Sequence, residues 1–262
     1  MTAANADRPP GAPARPVGTL RALLARHGRA MLLAAAATLA VQLAPLLIGR
    51  LGGTQPLLAA LAALAAATVW VALATPVLAA GADDALGALL RAAAVIDTGA
   101  VSLLVVWAVC PEVTLLAALK IYCILGAMGL AATAATRLAR TPAGRYTLAV
   151  VAAVVLLISL AGPFWIGGPM LAADQDTANR LVAAAVHANG FYCVTAAVAD
   201  EARFVWHRAD VMYRITRIGD YAAPPAARWY ASALLHAAVA AVLAALAVLL
   251  RRHKRLDRIP GT

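Results

Sequence analysis

The sequence predicts an all-α, polytopic transmembrane helix bundle: six spans, a re-entrant helical hairpin and interfacial amphipathic helices. Composition is the first reason. The chain is 63% hydrophobic and 13% charged, where a soluble domain has roughly 45–50% apolar and about 25% charged residues. Second, the apolar residues fall in blocks of about 20, enough to cross a hydrocarbon core of about 30 Å. Third, the basic residues sit mainly at the two ends and in short loops between blocks. In membrane proteins that distribution marks the cytoplasmic side. It also argues against a nucleic-acid partner, despite a net charge of +10.

Residues 1–18 are rich in Ala, Pro and Arg and read as a disordered tail. The apolar block beyond them is longer than a signal-peptide core and should stay as an anchor. Thr19–Ala30 reads as a short amphipathic helix, with Leu20, Leu23, Leu24 and His27 on one face and Arg21, Arg26 and Arg29 on the other. Placed just before a span, it is expected to lie on the cytoplasmic leaflet.

Spans follow at about 30–48, 56–80, 92–110, 113–136, 146–166 and 229–250. Between the second and third, Asp83–Arg91 reads as a short loop helix. Asp84 would be its N-cap and Arg91 would suit the C-terminal end of its dipole. Region 170–228 is predicted as an outer, re-entrant and amphipathic region. Leu181–Val198 is apolar enough to suggest a seventh span, but its centre carries His187, Asn189 and Gly190. Asn-Gly is a strong turn pair, so two half-helices should meet there, enter the membrane and return. Arg203–Ile218 reads as a second amphipathic helix, with Met212 and Ile215 on its apolar arc.

Charge parity sets the count. Arg21, Arg26 and Arg29 precede the first span, and Arg251, Arg252, Lys254 and Arg255 in the basic tail 251–262 follow the last. Both termini are then cytoplasmic, which requires an even number of spans. Six also place Arg137, Arg140 and Arg145 inside, and put Trp107, Trp165 and Trp229 at the outer interface. The expected setting is a multi-pass protein of the inner membrane.

Asp97 and Lys120 are the ionisable residues that fall within apparent spans, where charges mark function by default. They are read either as boundary residues reaching interfacial water or as part of a polar pathway or inter-subunit contact. His187 with Asn189 is read either as coordinating a substrate or proton or, in preference, as satisfying a local hydrogen bond, and Asp174, Asp176 and Asn179 as a helix start rather than a cation loop. Cys110, Cys123 and Cys193 are isolated, and no metal site or cofactor is expected. The chain holds no GxxxxGK(S/T), HExxH or GxSxG run. No catalytic residue is assigned, and the chain is not expected to be an enzyme.

This layout resembles the type 2 ABC exporter permeases. The resemblance is carried by Thr19–Ala30 as an interfacial helix, six spans, Asp83–Arg91 as a coupling helix and Leu181–Val198 as re-entrant helices. The run Met212-Tyr213-Arg214 to Gly219-Asp220-Tyr221, then Trp229-Tyr230, is similar to the ends of some such subunits. One departure is Asp83-Asp84 where the family commonly has a longer Glu/Arg-rich stretch. The resemblance implies a separate ATPase docking around Asp83, Asp84 and Arg91, and a homodimer in the bilayer forming the pathway. The competing expectation is a non-transport scaffold that presents its outer amphipathic region to a partner.

Overall fold

The computed structural model describes residues 16–111, 113–162, 166–202 and 228–256. They form helices with no strand among them: α1 (Pro16–Leu51), α2 (Pro56–Ala80), α3 (Ala85–Val109), α4 (Leu115–Thr136), α5 (Pro142–Leu160), α6 (Gly167–Ala172), α7 (Gln175–Ala188), α8 (Gly190–Ala202) and α9 (Trp229–Leu256). Six of these are long and apolar enough to cross a membrane, or seven spans result if α7 and α8 together form one. The chain is an all-α polytopic bundle.

Local chemistry sets the ends of the helices. Thr114 and Thr141 cap α4 and α5, each hydroxyl accepting a first-turn N–H. Pro56 and Pro142 occupy first positions, where the missing N–H costs nothing. Gly53 turns the chain between α1 and α2 with φ at +68°, a backbone that β-carbons disfavour.

Two sequence expectations are corrected here. Thr19–Ala30 is no separate interfacial helix, because α1 runs unbroken through it for 36 residues. No Gly or Pro interrupts the chain between the basic stretch and the span except Gly28, which helices tolerate. Likewise Asp83–Arg91 is not a loop helix of its own. Asp84 does act as an N-cap, accepting from Gly87 N–H, but it caps the 25-residue α3. Arg91 lies in that helix's second turn, where a long stem lets its charge reach the interface from within a span. The helix 203–218 and Trp165 lie outside the described residues.

Helices α2 and α4 form the centre. Leu64 and Val71 from α2, and Ile121, Ile124 and Met128 from α4, are fully buried. Helix α1 packs on α2 and α3, α5 on α2 and α4, and α9 lies along α4. Buried polar bridges fix the outer helices: Trp70 Nε1 donates to Thr38 Oγ1 at 2.9 Å, and Ser102 donates to the Gln42 side-chain oxygen.

The start of α1, the α2–α3 turn, the end of α4 and the start of α5 meet at one end of the bundle. Arg26 reaches Asp83, and Arg137 reaches the Ala82 carbonyl. The end of α9 joins them, since Arg140 donates to the Leu250 carbonyl. Both ends of the described chain therefore share one face. Trp107 and Trp229 mark the opposite end, near the C-terminus of α3 and the N-terminus of α9.

Candidate functional site

At the shared end, arginines gather around the Gly81–Asp84 turn. Arg26 pairs with Asp83 at 3.0 Å and Asp84 at 3.3 Å, and Arg145 lies 3.7 Å from Asp83. Arg137 and Arg145 both donate to the Ala82 carbonyl, which closes the turn from beneath. Arg91 reaches the Leu78 carbonyl at 3.4 Å and His27 Nδ1 at 3.5 Å. His27 is buried, and Gly87 makes room for it: a β-carbon there would meet His27 Cε1 at 2.5 Å. The Gly87 N–H bond and the nearby Arg26 charge hold the Asp84 carboxyl below its usual range. Burial and the charges of Arg145 and Arg251 push Arg137 down. The three residues read as a coupling surface are thus tied into the protein's own end, although Asp83 keeps 72% of its side-chain surface exposed.

At the opposite side of the chain, Asn189 holds the break between α7 and α8, whose axes bend by 74°. Its side chain is fully buried and fully used. Nδ2 donates to the Ser159 and Leu160 carbonyls at 3.1 and 2.7 Å, and Oδ1 accepts from Phe191 and Tyr192 N–H at 3.0 and 3.1 Å. One side chain thereby satisfies the end of α5 and the start of α8, groups that a helix leaves without internal partners. Ser159 adds a bond to the Ala188 carbonyl at 2.9 Å. Gly190 is required by close packing, because a β-carbon would lie 2.5 Å from Met128 Sδ. His187 shares this elbow, but its Nε2 is buried with no hydrogen-bond partner. Asp174 caps α7 through Thr177 N–H and hydroxyl, as a helix start should. No group of three or more His, Cys, Asp or Glu able to hold a metal occurs among the described residues.

Asp97 is the feature with most chemical content. Because α3 begins at Ala85, Asp97 stands twelve residues from either end of the helix. That is about 18 Å from each end at 1.5 Å per residue. A short carboxylate side chain spans only a small part of that distance, so Asp97 is a mid-helix residue and not a helix-end one. Tyr122 on α4 donates its hydroxyl to Asp97 Oδ1 at 2.8 Å. Lys120 is different: it stands six residues into α4, and its Nζ lies 5.9 Å from the centre of the Trp229 ring at the other end. Its long stem brings the ammonium to the end of the bundle where Trp229 stands. Asp97 and Lys120 thus have different partners.

Asp97 opens into a groove. Helices α3 and α9 both lean on α4 but have little contact with each other. The gap is a cavity of about 540 Å³, lined among others by Leu89, Ala93, Asp97, Tyr122, Gly126 and Leu234. Small residues at Ala93, Gly126, Ala127, Ala233 and Ala237 keep it open. Tyr122 was not singled out in the sequence, where a tyrosine inside an apolar block signals nothing until its partner is known.

Comparison with protein-family models, curated proteins and solved structures finds no match for this chain.

Proposed function

We propose that this chain is the membrane subunit of an ABC-type export system, working in the inner membrane with both termini cytoplasmic. It would act as a homodimer with a separate ATPase. The observation that carries the reading is the bent α7–α8 pair, pinned by Asn189 between the fifth and sixth long helices. The type 2 exporter permeases that the sequence resembles carry re-entrant helices at that place. The closed centre supports a dimer. Leu64, Val71, Ile121 and Ile124 are fully buried apolar side chains on α2 and α4, so a polar pathway would have to run between copies or along the outside. The arginine-rich end supports the orientation, since positive charge is retained on the cytoplasmic side.

A second reading is favoured by one specific feature. The turn at 81–84 is short, and both its aspartates pair with the chain's own arginines. That leaves an ATPase little beyond the exposed face of Asp83. A non-transport scaffold presenting its outer amphipathic region would need no such surface.

Purification of the tagged full chain from its own membranes in mild detergent distinguishes the two. An ATPase recovered in near-equal amount, lost on Asp83→Arg while the protein still elutes as a single species, supports the export subunit. Recovery of a different partner, lost on Met212→Asp or Ile215→Asp, replaces that reading with the scaffold. No ATPase in the purified complex overturns the export reading.

A further inference from the structure

A carboxylate at mid-span is costly unless something discharges it. Among the described residues Asp97 has one hydrogen bond, from the Tyr122 hydroxyl to one of its two oxygens. The other oxygen is left to accept from, or pair with, whatever enters the groove. Among the described residues, Asp97 is the one of formal charge lining this cavity; Tyr122 and Cys123 are its other polar side chains. Lys120 is held nearer the Trp229 ring and does not line it.

The chemistry of the walls narrows the occupant. One carboxylate and one phenol do not make the six to eight oxygens of a calcium site, nor the octahedron that magnesium demands. The remaining walls are Leu89, Ile96, Leu130, Leu234 and small residues, all apolar. An occupant must therefore bring a positive charge for Asp97 and a large apolar body for the rest. A volume of about 540 Å³ lies in the range of pockets that hold drug-sized molecules. Because α3 and α9 do not close over the groove, such a molecule enters sideways from the lipid.

We propose that the groove between α3 and α9 is a binding site for a lipophilic organic monocation, with the Asp97 carboxylate as counter-ion and the Tyr122 hydroxyl as its positioning donor. The site rests on the groove alone and not on the export reading, so binding can hold or fail independently of any ATPase.

The test is equilibrium binding of radiolabelled tetraphenylphosphonium to the full chain in lipid nanodiscs. Saturable binding is expected, above that of nanodiscs without protein. Asp97→Asn should weaken it by at least about tenfold, the loss of one charge partner. Asp97→Glu should retain it within a few-fold, and Tyr122→Phe should weaken it modestly. Ala237→Phe fills the groove while leaving Asp97 in place, and should also abolish binding. Triphenylphosphine oxide, of similar shape but uncharged, should not compete. Each variant is compared only where it elutes as a single species and unfolds cooperatively. The proposal is overturned if the wild type shows no saturable binding, or if either Asp97→Asn or Ala237→Phe binds as it does. It is equally overturned if the neutral analogue competes as well as the cation, or if Leu234→Cys cross-links two copies, which would make the groove a dimer contact.

Discussion

Replacing Asn189 with alanine should loosen the junction of α5, α7 and α8 more than any other single-residue truncation in that region. The side chain makes four hydrogen bonds from a fully buried position. Two of them cap the first turn of α8, and loss of such a cap costs about 0.5–2 kcal/mol. The other two satisfy carbonyls at the end of α5. Ser159 O keeps the Ala161 N–H as a partner, so the uncompensated loss falls mainly on Leu160 O. One buried acceptor left unpaired costs about 1–3 kcal/mol. Together the truncation should cost about 1.5–5 kcal/mol. By the scaling of soluble domains this lowers the unfolding temperature on the order of 5–15 °C. The assay is thermal unfolding of purified protein in detergent, followed by exposure of the buried Cys193 to a thiol-reactive dye. Asn189→Ser should recover part of the loss, because its hydroxyl can still cap α8 but cannot reach Leu160 O. Asn189→Asp should not recover it, since an acceptor-only carboxylate would face the α5 carbonyls. An alanine variant that melts with the wild type would refute the claim that this side chain holds the elbow.

Other outcomes follow from the same geometry. In a background with the exposed Cys123 replaced by Ser, Asp174→Cys should react with a membrane-impermeant maleimide added from the outside; reaction only from the cytoplasmic side would reverse the orientation. Arg145→Gln removes a buried guanidinium that braces the Ala82 carbonyl, and should destabilise by about 1–3 kcal/mol, read as a lower unfolding temperature. Asp83→Asn, on a far more exposed partner, should change it by well under 1 kcal/mol, as surface ion pairs do. The Asp84 carboxyl is depressed in the folded protein, chiefly by the Gly87 N–H bond. Its contribution is therefore present above the unfolded value near 3.9 and lost as pH falls through the folded one. The wild type should lose thermal stability more steeply than Asp84→Asn between about pH 5 and about pH 3; parallel curves would remove Asp84 from the account.

Much of the bundle was legible because burial in lipid leaves few choices. Pro56–Ala80 was read to the residue, and the Asn189-Gly190 break was placed where the structure bends. Those signals are local: a proline at a first helical position, an Asn-Gly pair inside an apolar block. What misled was the treatment of charge as a boundary. In the sequence, Arg29 and Arg91 read as the places where polar segments end and spans begin. Helices α1 and α3 run straight past them, because a long basic stem can leave the hydrocarbon while its backbone stays inside. Pairings across the arginine-rich end, such as Arg145 with the Ala82 carbonyl, join residues far apart in sequence and carry no local signal.

The same misreading changed the meaning of Asp97. Counted from a span beginning at 92, it lies about a turn and a half from the start, where a boundary residue and a polar pathway are both open. Counted from Ala85, it is the middle residue of α3. Seven residues of helix, about 10 Å at 1.5 Å each, thus separate a residue near the start of its span from one at its middle. The partners then fall differently. Lys120, the obvious counter-ion by sign, stands near Trp229 and the opposite end, while neutral Tyr122 holds the carboxylate. A tyrosine orients an acid without discharging it. The second Asp97 oxygen is therefore left for a ligand, and the small residues of α4 and α9 leave room for it.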